Sequence, residues 1–141
     1  MKNQVLSIEQ MQHLQELGVD TSKASMMYHF WVDKKYKNYF LLSADTATPY
    51  GSENVPTFTL QDMLEMMPPH FYSFPFEDKE RYVIHDMVIE RLTGEWFIGY
   101  THGIEKGKTL FYFQGDLLNC SYETLCWLAE NNYIGGNDES K

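Results

Sequence analysis

The sequence predicts an α+β fold in which two β-hairpins form an antiparallel sheet of four to five strands, packed by three helices. One observation behind this class is a pair of strand-like runs joined by a short turn that contains glycine. Another is the presence of helix-capping signals before segments with apolar residues at helical spacing. The third is the order of the elements, because the strands do not alternate one by one with helices as they do in a parallel sheet.

The central hairpin is predicted over residues 81–102. Its two runs, 81–90 and 95–102, are rich in β-branched and aromatic residues, and Thr93-Gly94 provides a turn centre where positive φ is tolerated. With this turn the facing pairs are Ile89 with Ile98, Met87 with Tyr100, Arg91 with Trp96, and His85 with His102. Because a hairpin alone is marginally stable in water, the rest of the chain has to cover it.

A second hairpin is predicted from residues 25–32 and 36–42. Its tip carries Lys34, Lys35 and Lys37 beside Tyr36, a combination that could contact a phosphate backbone, although a solvated turn is the expected interpretation. Residues 43–57 are predicted to form a loop because they contain two prolines and a glycine.

Two further segments are harder to assign. Residues 70–76 are mostly aromatic and contain Pro75, which breaks a strand or a helix, so we expect a tether lying across the core. Residues 109–113 are compatible with a strand or with an extended loop.

Capping signals predict the three helices. Ser7 and Gln10 form a capping box before the first helix, and Gly18 is suited to the left-handed position that ends it. Thr59 and Asp116 are the expected N-caps of the second and third helices.

Composition bounds the class of protein. The 141 residues predict a single domain over 1–134 with a flexible tail over 135–141, and the formal net charge of −9 makes binding to nucleic acid unlikely. No apolar run has the length of a signal peptide or a membrane span, so we expect a cytoplasmic protein that does not bind a membrane. Cys120 and Cys126 are expected to be reduced and structural.

A histidine pair is the sharpest candidate for chemistry. His85 and His102 on neighbouring strands could hold a transition metal if His29 or a carboxylate supplied a third ligand. Spacing fixes no third ligand, so hydrogen-bonded histidines are the default and neither a metal nor a cofactor is predicted. No catalytic residue is predicted either, because both cysteines lie in the third helix and no Gly-x-Ser-x-Gly elbow is present.

Aromatic residues are abundant at 16% of the chain, and such residues are enriched in interface cores as well as in protein cores. The candidates for partner contact are Phe71, Tyr72, Phe74, Phe76, Trp31 and Trp96. Basic partners suit the acidic surface best. An acidic mimic of DNA would need carboxylates in spaced rows, whereas here they are interleaved with lysines.

Three stretches, at 6–26, at 58–64 and at 114–117 with 122–134, together cover roughly the three helices. They resemble a group of small proteins associated with phages and mobile elements of gut anaerobes, a group to which no activity, cofactor or catalytic residue is assigned. The resemblance implies an accessory role, with the more variable strands and loops as the candidates for partner contact.

The function predicted from these observations is a non-catalytic accessory or protein-binding module of a phage or mobile element. One alternative is a small enzyme or metal-binding protein that uses the neighbourhood of His85 and His102, and the other is an acidic DNA mimic. The identity of the partner and the oligomeric state stay open.

Overall fold

The computed structural model describes residues 4–31, 39–48, 52–78 and 80–134. Their helices and strands, in chain order, are α1 Ile8–Glu16, β1 Met26–Trp31, β2 Tyr39–Ser43, β3 Ser52–Thr57, α2 Leu60–Met66, β4 His70–Ser73, β5 Val83–Leu92, β6 Glu95–Thr101, β7 Thr109–Gly115 and α3 Leu117–Glu130. The predicted α+β class and its three helices are confirmed. None of the helices in these residues is long and apolar enough to cross a bilayer.

The strands form two antiparallel sheets instead of one sheet of four to five strands. The first has three strands in the order β2-β1-β3, and the second has four in the order β4-β5-β6-β7. The additional strands come from segments in which proline obscured the strand pattern. The predicted basic tip with Lys34, Lys35 and Lys37, and the predicted tail at 135–141, lie outside the described residues.

The loop prediction for residues 43–57 is wrong over its last part, because Ser52–Thr57 is strand β3 and pairs with β1. Pro56 lies opposite Met27 within this strand. Since β3 is at the edge of its sheet, only one side of its backbone needs ladder hydrogen bonds, which is the position where a strand tolerates proline.

The tether prediction for residues 70–76 is also wrong in part. His70–Ser73 is an edge strand, β4, that pairs with β5, and Pro75 follows the end of this strand. Residues 109–113, which the sequence left open, lie in strand β7.

The central hairpin has the predicted register. Met87 pairs with Tyr100, Ile89 with Ile98, and Arg91 with Trp96. Thr93 and Gly94 form the turn with φ values of 49° and 85°, so both central residues are in the left-handed region typical of a type I′ turn.

All three helix starts are confirmed with their N-caps. Ser7 and Gln10 form the predicted capping box at α1, Thr59 and Asp62 form another at α2, and the side chain of Asp116 accepts a hydrogen bond at the start of α3. Side-chain oxygens thus satisfy amide groups that have no partner within the helix.

Helix α3 packs on one face of the four-stranded sheet and also contacts α1 and α2. This face of the sheet is called the inner face, and it contributes Phe71, Ile98 and Tyr100 to the main hydrophobic core. The opposite face is called the outer face. Alternation along the strands places Tyr72, Ile84, Val88, Phe97 and Tyr112 on it.

Candidate functional site

His85 is a buried imidazole on the inner face, with 4% of its surface exposed. It lies opposite Phe71 of β4, and the two rings stack with their centroids 4.9 Å apart. The neighbouring inner-face position on β4 is Ser73, which pairs with Val83. The pairing of β4 with β5 therefore brings a serine hydroxyl to the histidine ring.

Both nitrogens of the His85 ring are engaged. Nδ1 lies 2.8 Å from the backbone carbonyl oxygen of Thr101, and Nε2 lies 2.7 Å from the hydroxyl oxygen of Ser73. Because a carbonyl oxygen only accepts, the Nδ1 atom carries the proton and donates it to Thr101. In the neutral ring Nε2 is then the acceptor, and the Ser73 hydroxyl donates to it.

A close approach of the backbone completes this arrangement. Gly103, in the turn after β6, has a φ of +88°, and a Cβ atom built on it would lie 2.7 Å from the carbonyl oxygen of Ile84 and closer still to the Val83 side chain. Only a residue without a side chain lets the turn lie this close to β5, next to His85. The turn at Gly103 therefore packs directly against β5 at the end of the sheet that carries Ser73 and His85.

His102 follows the last residue of β6, so the predicted pair of His85 with His102 is not part of the ladder between β5 and β6. Both histidines nevertheless line one cavity of about 290 Å³. The Nδ1 atom of His102 accepts the amide hydrogen of Glu105 at 3.2 Å, so in the neutral ring the proton is on Nε2. His102 is thus arranged as a donor and His85 as an acceptor.

The cavity is otherwise lined by Ser73, Asn131 and the mostly apolar side chains of Pro75, Val83, Ile104, Leu110, Trp127 and Tyr133. Among the described residues, its lining includes no Asp, Glu, Lys or Arg. Such a site suits an uncharged, partly apolar ligand.

The metal hypothesis needs a third ligand beside His85 and His102, and among the described residues that line their cavity there is neither His29 nor a carboxylate. His29 lies in the other sheet, where its Nδ1 atom is 2.8 Å from the side-chain oxygen of Asn54, and both nitrogens of His85 are already hydrogen-bonded. Within the described ranges no group of three or more His, Cys, Asp or Glu side chains could hold a metal ion.

Sequence reasoning missed Ser73, and the reason lies in the strand pairing. The signal in the sequence is the two-residue spacing of Phe71 and Ser73, which places both side chains on one face if the segment is a strand. Because Pro75 favours a tether over a strand, the sequence pattern offers no partner strand that would place Ser73 beside His85.

The outer face is the second candidate site, because Tyr72, Ile84 and Tyr112 are exposed on it. One exposed cluster on this side consists of Tyr72, Phe74, Tyr82 and Ile84. The Tyr82 ring packs edge-on against the rings of Tyr72 and Phe74, with ring centroids 5.0 Å and 6.4 Å apart. Phe74 is 57% exposed. We call these four residues the aromatic cluster.

The apolar surface continues from the aromatic cluster across the sheet. Val88 of β5 pairs with Gly99, which in turn pairs with Tyr112 of β7, and the rings of Phe97 and Tyr112 lie 5.3 Å apart. Tyr112 is 52% exposed. The outer face therefore presents apolar side chains from all four strands of the sheet.

The charged strand residues of the outer face are all acidic. Asp86 and Glu90 lie on β5, and Glu95 begins β6, where its carboxylate accepts a hydrogen bond from Gln114 at 2.6 Å. All three acidic residues are exposed. A partner for this face is expected to be basic as well as apolar.

The structure separates the six partner-contact candidates into different environments. Phe71 is 5% exposed and belongs to the core, so the prediction that it contacts a partner is wrong. Phe76 and Trp96 are half-buried beneath the guanidinium groups of Arg81 and Arg91. Tyr72 and Phe74 belong to the aromatic cluster, whereas Trp31 is exposed on the three-stranded sheet.

Neither the cavity nor the outer face could be assigned by likeness to a known protein. No family model matches the chain, and no curated protein or solved structure gives a significant match.

Proposed function

We propose that the protein is a cytoplasmic accessory module of a phage or mobile element, and that it binds a basic protein partner through the outer face of the four-stranded sheet. The observation that carries this proposal is the run of apolar side chains that leads from the exposed aromatic cluster through the half-buried Val88 and Phe97 to the exposed Tyr112. Contiguous exposed apolar surface of this kind typically marks an interaction site. The resemblance of the helical segments to proteins of mobile elements supports the genetic setting.

The chemistry of the partner follows from the charge of the face. Asp86, Glu90 and Glu95 share the outer face with the exposed rings of Tyr72 and Tyr112, and the chain as a whole has a formal net charge of −9. Lysine and arginine side chains complement such a surface, and arginine also stacks on aromatic rings. Because the carboxylates are interleaved with Ile84, Val88 and Phe97, the face suits a protein partner better than the role of a phosphate-backbone mimic.

The two thiols support the proposed compartment. Cys120 and Cys126 form no disulfide, and unpaired cysteines are usual in the reducing cytosol.

Site-specific photo-crosslinking tests the proposal. Benzoylphenylalanine replaces Tyr72 in one variant and Phe40 in a control, because Phe40 is 62% exposed but lies on the other sheet. In cells of a host that carries the element, we expect a crosslink to a distinct protein from position 72 and none from position 40. A crosslink to a second copy of this chain, or one formed only from position 40, would overturn the proposal.

Titration of the purified partner then measures the contribution of the face. The triple variant Tyr72→Ala, Phe74→Ala, Tyr82→Ala is expected to weaken binding at least tenfold, because aromatic anchors carry much of the binding energy in interfaces. Phe40→Ala is expected to leave the Kd unchanged. Equal Kd values for wild type and the triple variant would contradict the proposed surface.

A further inference from the structure

We infer that Ser73 and His85 form an acyl-transfer site, in which Ser73 is the nucleophile and His85 is its general base. The inference rests on the cavity at the inner face and is independent of partner binding at the outer face. Its basis is the 2.7 Å contact between the Ser73 hydroxyl and Nε2 of His85, together with the hydrogen bond that fixes the His85 ring from its other side.

The ring is held in the tautomer that a general base requires. Thr101 accepts from Nδ1 at 2.8 Å, so the lone pair of Nε2 faces the serine hydroxyl. Stacking against Phe71 holds the plane of the ring. A nucleophile within hydrogen-bonding distance of a base, with the base oriented by a third group, is the arrangement that activates serine hydroxyls in enzymes.

Donors for the developing oxyanion line the same cavity. His102 carries its proton on Nε2, because its Nδ1 atom accepts from the Glu105 amide. Asn131 is a second donor in the lining, and its side-chain nitrogen uses one hydrogen to bond the carbonyl oxygen of Trp127 at 2.8 Å. One hydrogen of that amide remains for a ligand.

The lining indicates the class of substrate. No charged side chain is among the described lining residues, which disfavours phosphorylated or carboxylate substrates. Trp127, Ile104 and Leu110 offer apolar surface, and about 290 Å³ is small for a ligand pocket. The substrate that fits is an uncharged ester of a short apolar carboxylic acid.

The reaction has two balanced steps. In the first, the Ser73 oxygen forms a bond to the acyl carbon while its proton moves to Nε2 of His85, and the ester bond breaks as His85 returns that proton to the departing alcohol. In the second, water attacks the acyl carbon and transfers a proton to His85. The bond between the acyl carbon and the Ser73 oxygen then breaks, the acid is released, and the serine oxygen takes the proton back from His85.

Labelling with an alkyl fluorophosphonate tests the nucleophile. This reagent forms an oxygen–phosphorus bond with an activated serine and releases fluoride, and the modified residue is then identified by mass spectrometry. We expect modification of Ser73 and a loss of at least about 100-fold in rate in His85→Gln, because the glutamine side chain cannot act as the general base. Ser22→Ala, at an exposed serine, is the matched control and should label as wild type does.

Acyl transfer from p-nitrophenyl butyrate provides the second measurement. Ser73→Ala should abolish formation of the acyl-protein, whereas Ser73→Cys should restore it because a thiol beside His85 is also a nucleophile. Circular dichroism establishes that each variant is folded. Absence of label on Ser73 in the folded wild-type protein, or an unchanged labelling rate in folded His85→Gln, would overturn the inference and leave the Ser73–His85 bond a structural one.

Discussion

The carboxylate of Asp62 accepts hydrogen bonds from both the backbone amide and the hydroxyl of Ser25, 37 residues earlier in the chain. The same carboxylate accepts the amide hydrogen of Thr59 at 2.9 Å and so closes the capping box of α2. One buried side chain thus joins the start of α2 to the segment that enters β1.

This arrangement predicts a pH-dependent contribution to stability. Burial acts to raise the pKa of Asp62, but hydrogen bonds from Ser25 and Thr59 outweigh it, and the pKa lies below its usual value. The folded state therefore favours the ionised form, and the stabilisation is fully present above the unfolded pKa of about 3.9. It is lost as the pH falls through the lower pKa of the folded state.

Replacing the charge tests this contribution. Asp62→Asn is expected to lower the free energy of unfolding by about 2 kcal/mol at neutral pH, since it weakens several hydrogen bonds to a charged acceptor. Urea denaturation at neutral and acidic pH measures the difference, which should shrink in acid. Glu65→Gln, at an exposed position of the same helix, is the control and should change stability little. A difference that does not depend on pH would contradict the role of the charge.

The hairpin turn predicts a stabilising substitution. Thr93 has a φ of 49°, a conformation that β-branched residues rarely adopt, whereas asparagine before glycine is preferred in a type I′ turn. Thr93→Asn is therefore expected to raise the free energy of unfolding by about 1 kcal/mol, and the Tm by roughly 3 °C.

Calorimetry measures the change in Tm, with Thr109→Asn as the control. Thr109 is an exposed residue at the start of β7, where asparagine has a lower strand propensity and is expected to stabilise nothing. Equal Tm values for wild type and Thr93→Asn would show that the positive φ carries no cost.

A pair of glycine substitutions separates backbone strain from close packing. Gly103 and Gly107 both have positive φ, but a Cβ atom at Gly103 would meet Val83 and Ile84, whereas one at Gly107 would meet no atom within 4 Å. Gly103→Ala is expected to cost about 2 kcal/mol more than Gly107→Ala, because the turn has to move away from β5. Chemical denaturation of both variants gives this difference, and equal losses would exclude a close approach at Gly103.

The two thiols are expected to react slowly in the folded protein. Burial, with nearby carboxylates, raises the pKa of Cys120 to about 11, and burial also raises the pKa of Cys126. Because the thiolate is the reactive form, modification by a thiol reagent at neutral pH should be at least tenfold slower than in denaturant. Fast reaction of both thiols in the folded protein would contradict the burial of Cys120.

Local sequence signals correctly predicted the helix starts and the hairpin turn, which are formed by residues close together in the chain. The capping residues Ser7, Thr59 and Asp116 predicted the three helix starts, and Thr93-Gly94 predicted the register of the central hairpin. Those predictions succeeded because a cap or a tight turn is made by residues close together in the chain. Strands β3 and β4, both at sheet edges, were missed because Pro56 and Pro75 break a strand pattern when the position of the strand in its sheet is unknown.

By itself, the sequence determined the α+β class, the three helices and the acidic, aromatic character of the chain. Only the tertiary structure decided that the strands divide into two sheets, that Phe71 is buried while Tyr72 is exposed, and that Ser73 meets His85. The physical reason is that these outcomes depend on which strand pairs with which, and that pairing places side chains from distant parts of the chain on one face. The hydroxyl of Ser73 lies beside His85 because β4 pairs with β5 at the edge of the sheet. No local pattern in residues 70–76 specifies that pairing.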